Sequence, residues 1–79
     1  MRDDMIREVL GLHSKIEVSI ESIARDANLY DLGMTSHATV SVMLGLEDVF
    51  GVEFPDRLLN GETFESIATI DAALTQLGG

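Results

Sequence analysis

The sequence predicts an all-α fold: a small bundle of three main helices plus one short helix, with a long crossover after helix one. Apolar residues recur at three-, four- and seven-residue steps in three separate stretches, while the strict alternation of a half-buried strand is almost absent. The chain has 79 residues, 46% of them hydrophobic, which supports one modest core and a single domain over residues 1–79. The one proline, Pro55, together with Gly51 and Gly61, falls between the periodic stretches and punctuates them.

Helix one is expected to start at about Asp4 and end at about Ser14, capped by Asp3 or Asp4, with Met5, Ile6, Val9, Leu10, Leu12 and Ile16 in its apolar pattern. The stretch from Lys15 to Met34 is long for an unstructured connection in so small a domain. Val18, Ile20, Ile23, Leu29, Tyr30 and Leu32 make it too apolar for a solvated loop, so it is expected to pack, with a short helical turn over residues 19–23. Helix two starts at Thr35 or Ser36, either of which can cap it, and runs to Phe50, where Gly51 supplies the stop. After Pro55, Asp56 can cap one turn that ends at Asn60 and is closed by Gly61. Thr63 is expected to cap the last helix, with Phe64, Ile67, Ile70, Leu74 and Leu77 on one face.

Charge and composition exclude several function classes. Fourteen acidic residues against five basic ones set the net charge at −9. That charge repels phosphate backbones and anionic lipid, so neither nucleic acid nor membrane is an expected partner, whereas basic protein surfaces are. The balance is uneven: residues 1–35 carry −3, and residues 36–79, whose only basic residue is Arg57, carry −6. Without cysteine there is no disulfide frame, no thiolate zinc site and no thiol nucleophile, and a reducing cytoplasm is the default compartment. No window approaches eighteen consecutive apolar residues, and Asp3 and Asp4 are the wrong chemistry for a signal peptide.

Helix two is the informative element, because its apolar residues do not fit one face. At about 100° per residue, Val42, Met43, Leu46, Val49 and Phe50 share the natural core arc. Ser36, Val40, Leu44, Glu47 and Asp48 share another, with a hydroxyl at its start, aliphatic residues in its middle and carboxylates toward its end. Such a stripe either packs under the crossover or docks a partner, since protein interfaces are commonly apolar at the centre and polar at the rim.

The order Asp31-Leu32-Gly33-Met34-Thr35-Ser36, then Val40, Leu44 and Leu46-Glu47-Asp48-Val49-Phe50-Gly51-Val52-Glu53-Phe54-Pro55-Asp56, resembles the phosphopantetheine carrier family of acyl carrier proteins and peptidyl carrier domains. The resemblance covers about residues 29–77. It implies that Ser36 carries 4'-phosphopantetheine through a phosphodiester, donated from coenzyme A by a phosphopantetheinyl transferase with a divalent metal. The terminal thiol then holds the cargo as a thioester, which accounts for a carrier without cysteine. An N-terminal helix position also suits a phosphate.

Fatty-acid carriers usually read Asp-Ser-Leu at the site, with carboxylates nearby; this chain reads Thr35-Ser36-His37, with Ala38 and Ser41. It resembles more closely the discrete aminoacyl carrier proteins, through Gly33-Met34-Thr35-Ser36, Met43-Leu44-Gly45-Leu46-Glu47 and Glu53-Phe54-Pro55-Asp56-Arg57-Leu58-Leu59-Asn60. That subfamily implies loading by a seryl-tRNA-synthetase-like amino acid:carrier protein ligase, or another acyl-activating enzyme, acting on a cytoplasmic monomer. The implied contact surface comprises Met34, Thr35, His37, Val40, Leu44, Glu47 and Asp48, bordered by Phe54, Leu58 and Leu59. The alternatives are a carrier for fatty-acid or polyketide synthesis and, from another class, a helical docking adaptor without a prosthetic group.

An enzyme reading is the weakest. Ser36 and His37 are helix neighbours pointing about 100° apart, with no third group to orient the imidazole, so no catalytic residue is expected. His13 and His37 lack metal-ligand spacing, and no metal site is expected. The Leu77-Gly78-Gly79 ending is like that of ubiquitin-like proteins, but the helical periodicity contradicts their strand-rich fold, and a frayed terminus is expected instead.

Overall fold

The computed structural model describes residues 2–78, so Met1 and the final glycine of the Gly78-Gly79 ending lie outside the described residues. Three α-helices make the frame: α1 (Arg2–His13), α2 (Ser36–Phe50) and α3 (Ile67–Gln76). Helix α1 packs against both others. The connectors hold one short 3-10 turn each, Ile20–Ser22 and Asp56–Leu58.

Helix α1 begins earlier than its sequence signals suggest. Asp3 and Asp4 therefore sit in its first turn, where carboxylates face the positive helix end, rather than at the cap. It ends one residue before the expected Ser14. That residue is buried, its hydroxyl donating to the Leu10 carbonyl at 2.6 Å, and Lys15 then adopts the left-handed φ of 62° that usually falls to glycine. Ile6, Val9 and Leu10 enter the core, whereas Met5 and Leu12, at the edge of that face beside Val9, are exposed.

The long crossover is packed, as its composition predicts: Ile23, Leu29 and Met34 are buried, although Val18 is exposed. Backbone hydrogen bonds explain how it avoids orphaned polar groups. Arg7 Nη1 donates to the Ile20 carbonyl at 2.7 Å and fastens the first 3-10 turn to α1. Leu29 N donates to the Glu65 carbonyl at 2.7 Å, and Ala68 N donates to the Arg25 carbonyl at 2.9 Å. The second bond satisfies a first-turn amide of α3 that its own helix cannot.

The segment before α3 departs most from expectation. Asp56 caps nothing through its side chain, and Pro55 flanks the second 3-10 turn in extended conformation. Thr63 is not a helix cap either: its amide donates to Asn60 Oδ1 at 3.0 Å, which folds residues 60–63 into a turn. The cap is Ser66, in a reciprocal box with Thr69. Phe64 consequently precedes the helix but still reaches the core, where its ring meets Phe54 at 5.2 Å between centroids.

The core joins Val42 and Leu46 of α2 to Ile67, Ile70 and Leu74 of α3 and to the α1 residues. Each fully buried aliphatic side chain contributes about 1.5–3 kcal/mol before entropy is counted. Val49, expected in the same arc, is 45% exposed; burial needs a neighbour as well as an angle, and nothing closes over the last turn of α2 there. At the edge of the bundle Arg25 bridges Asp3 and Asp71, and Arg2 meets Asp71 at 2.8 Å, tying α1, the crossover and α3 together. The Arg2 guanidinium, then Arg25, hold the Asp71 carboxyl below its ordinary range, and the bond to Asp3 raises Arg25. No helix among the described residues is long and apolar enough to cross a membrane.

Candidate functional site

The approach to α2 is built to present Ser36. Asn28 Oδ1 accepts from the amides of Tyr30 and Asp31, at 2.9 and 3.1 Å, and opens a turn. Gly33, at φ 113°, reverses the chain where a side chain would be strained. Leu29 and Met34 anchor the two sides of this turn in the core, and Met34 N donates to the Leu29 carbonyl at 3.1 Å. Thr35 follows in extended conformation and is the N-cap, its Oγ1 accepting from Ala38 N at 3.0 Å.

That capping bond decides what Ser36 is free to do. Both Thr35 and Ser36 could cap by residue type; the structure assigns the cap to Thr35, which leaves Ser36 as the first helical residue, exposed. Its hydroxyl has no hydrogen-bond partner among the described residues. No hydrogen bond joins it to His37, which is also exposed. No acidic side chain lies in the first turn of α2, and the amides of Ser36 and His37 have no partner within the helix. A phosphodiester at Ser36 thus fits: the oxygen is accessible, the helix end is positive and the helix's first turn carries no carboxylate to oppose it.

From Ser36 an exposed stripe runs down α2 at four-residue steps, through Val40 (52% exposed) and Leu44 (55%) to Asp48. Thr35, His37 and Leu59 are exposed as well, and Leu58 is half-buried. Three residues expected on this surface have other duties. Met34 (2% exposed) and Phe54 (6%) are core residues, buried because the turn before α2 and the chain after Gly51 both fold inward. Glu47 is half-buried, and its Oε2 accepts from Phe54 N at 2.8 Å, so its carboxylate secures the chain just past α2. Gly51, at φ 65°, makes that reversal possible.

Beside the stripe lies an apolar groove of about 350 Å³ whose walls include Ser36, Val40, Met43, Leu59 and Phe64. Sequence reasoning placed Met43 wholly in the core and passed over Thr39, which also lines the groove. Their spacing is a signal that could have found them: Thr39, Val40 and Met43 follow Ser36 by three, four and seven residues. The opposite wall, from Tyr30 and residues 59–64, comes from chain segments that only folding brings to α2. Among the described residues, no group of three His, Cys, Asp or Glu side chains could hold a metal ion.

Comparison with known proteins places this geometry. Residues 4–70 match the family described as "Phosphopantetheine attachment site". The aminoacyl carrier protein of Agrobacterium fabrum is 44% identical over 66 residues, covering 84% of this chain and 80% of that protein. Among solved structures, a crystal structure of an engineered Bradyrhizobium japonicum glycine:carrier protein ligase complexed with carrier protein from Agrobacterium tumefaciens and ATP contains a chain that superposes with a TM-score of 0.95. The match has 38% identity and covers 98% of this chain and 100% of that one. A chain of the Bradyrhizobium japonicum ligase complexed with its cognate carrier protein and a glycyl adenylate analogue superposes with a TM-score of 0.81 at 28% identity, over 95% and 96% of the two chains. From the match across most of its length and the agreement in fold, the chain belongs to the phosphopantetheine attachment family and is similar within it to the aminoacyl carrier proteins.

Proposed function

We propose that this protein is an aminoacyl carrier: Ser36 is the attachment residue for 4'-phosphopantetheine, and an activated amino acid is held at the end of that arm and handed to partner enzymes. The observation that carries the reading is the uncommitted Ser36 hydroxyl, exposed on the first turn of α2 within the segment that matches the family. When bound, the arm supplies a thiol that holds the acyl group as a thioester. Thr35 keeps the helix start formed without using Ser36, and the first-turn amides of Ser36 and His37, unpaired within the helix, would be available to hold the phosphate.

The chain contributes recognition rather than catalysis. His37 is not bonded to Ser36, so the base that activates the hydroxyl comes from a phosphopantetheinyl transferase, with coenzyme A as donor. The relatives in complex with glycine:carrier protein ligases support a ligase of that kind as loading partner. Its docking surface is Thr35, His37, Val40, Leu44 and Asp48, flanked by Leu58 and Leu59. No lysine or arginine lies on α2, so this face is apolar at its centre, acidic at its far end and suited to a basic partner. The setting is a single carrier domain acting as a monomer in the cytoplasm.

The test is intact-protein mass spectrometry after incubation with a broad-specificity phosphopantetheinyl transferase, coenzyme A and Mg²⁺. The wild type gains one phosphopantetheine and Ser36→Ala gains none; modification of the Ala variant, or an unmodified wild type, refutes the assignment. Loading of separate amino acids by a carrier-directed ligase then tests the aminoacyl role, which fails if only malonyl or long acyl groups are accepted.

A further inference from the structure

The chain has two asparagines, and the fold treats them oppositely. Asn28 precedes Leu29, whose amide is engaged, donating to the Glu65 carbonyl at 2.7 Å. Asn60 precedes Gly61, and the Gly61 amide makes no hydrogen bond among the described residues. Both members of the Asn60-Gly61 pair are exposed. Gly61 has no side chain to shield its nitrogen, and the space around it is open: a Cβ there would meet only the Tyr30 hydroxyl, at 3.9 Å.

The carboxamide of Asn60 is by contrast tied at both ends. Its Nδ2 donates to the Arg57 carbonyl at 3.0 Å, and its Oδ1 accepts from the Thr63 amide at 3.0 Å and from Thr63 Oγ1 at 3.2 Å. An asparagine followed by glycine is open to intramolecular deamidation, because a backbone nitrogen with no neighbouring Cβ reaches the side chain with little hindrance. Here the carboxamide must first release Arg57 and Thr63 before its Cγ can turn toward that nitrogen. The fold leaves the nucleophile free and restrains the electrophile, so reaction goes through a local opening.

We propose that Asn60 is a spontaneous modification site, paced by its bonds to Thr63 and Arg57. The Gly61 nitrogen attacks Asn60 Cγ and forms a carbon-nitrogen bond. The bond from Cγ to the side-chain nitrogen breaks, and that nitrogen leaves as ammonia, with a proton balancing the one lost from the Gly61 amide. Water then opens the cyclic imide at either carbonyl, which yields aspartate or isoaspartate. Either product replaces the Nδ2 donor with a carboxylate beside Glu62 and Glu65, with which Asn60 shares a groove. Isoaspartate also adds a methylene to the main chain between the Leu58-Leu59 flank and the core residue Phe64. The chemistry is independent of what Ser36 carries.

The test incubates the whole protein in mildly alkaline buffer, folded and in guanidinium chloride. Products are located by peptide mass spectrometry and by methylation with a protein isoaspartate methyltransferase. In the wild type, conversion is expected at position 60 before Asn28, and about 10-fold to 100-fold slower folded than denatured, because the opening breaks several hydrogen bonds. Thr63→Val deletes the hydroxyl donor from a buried side chain while keeping its shape, and is expected to speed conversion of the folded protein about 5-fold, the worth of one hydrogen bond. Gly61→Ala, for which the structure has room, is expected to slow conversion several-fold in both states. Three results overturn the site: no modification at position 60 of the folded wild type by the time the denatured chain is spent, conversion first at Asn28, or no slowing in Gly61→Ala. Equal rates folded and denatured, or an unchanged rate in a folded Thr63→Val, overturn the pacing role of the bonds. Should Thr63→Val not fold, as judged by circular dichroism, the ratio of folded to denatured rates decides that role alone.

Discussion

Gly45 offers a sharp test of how this bundle is packed. It lies inside α2, where replacing glycine by alanine in a helix is ordinarily stabilising by about 0.8–1 kcal/mol. The tertiary structure opposes that gain. A Cβ at position 45 would stand 2.8 Å from His13 Cδ2, 3.0 Å from His13 Nε2 and 3.0 Å from Val9 Cγ1. His13 ends α1 and is half-buried, so its ring can swing part of the way clear. Val9 is buried and β-branched, with little rotamer freedom in a helix, so α1 and α2 must separate slightly. Overpacking of this kind costs about 1–3 kcal/mol. The net expectation for Gly45→Ala is a loss of about 1 kcal/mol, read by thermal denaturation as a fall of about 4–8 °C. In a His13→Ala background the same substitution should cost less, because one of the two obstacles is gone. A Gly45→Ala variant more stable than wild type, with His13 intact, would show that the helices are not in contact as described.

Thr35→Ala should cost about 1 kcal/mol of stability by removing the cap of α2, while Ser36→Ala, which loses no hydrogen bond, should stay within about 0.5 kcal/mol; urea denaturation of both variants checks the division of labour. Leu44→Asp leaves the fold intact, because the side chain is exposed, yet is expected to slow ligase-dependent aminoacylation about 10-fold or more, measured against transferase loading as an internal control. Asp71 has a depressed folded pKa, so its contribution is present above the ordinary value of 3.8 and is lost as pH falls through the lower folded value. Asp71→Asn should therefore flatten the acid limb of stability against pH and cost no more than about 1 kcal/mol at neutral pH, an effect that fades in high salt.

Much of this architecture is legible in the sequence because the signals are local. The 3.6-residue periodicity locates three helices, and Gly51 and Pro55 mark a break that the chain observes. The apolar content of the crossover already implies packing, and Ile23, Leu29 and Met34 bear that out. The misreadings have a common cause. Thr63 and Ser66 are chemically similar cap candidates three residues apart, and the choice depends on Asn60 claiming the Thr63 amide. Met34 and Phe54 belong to motifs expected at the contact surface but lie in the core, because the motif's order says nothing about which way each side chain turns.

Ser36 shows where local and tertiary information part. The sequence by itself determined the helix class, the acidic and cysteine-free surface, and the serine at a helix start, since each follows from residue type and spacing along the chain. Only the tertiary structure decided that Thr35 takes the cap and releases the Ser36 hydroxyl, that Glu47 is engaged by the Phe54 amide, and that Tyr30 and residues 59–64 close a groove against α2. Those outcomes depend on which of several competing polar and apolar groups come within reach of each other. That is set by long-range packing, and no window of the sequence contains it.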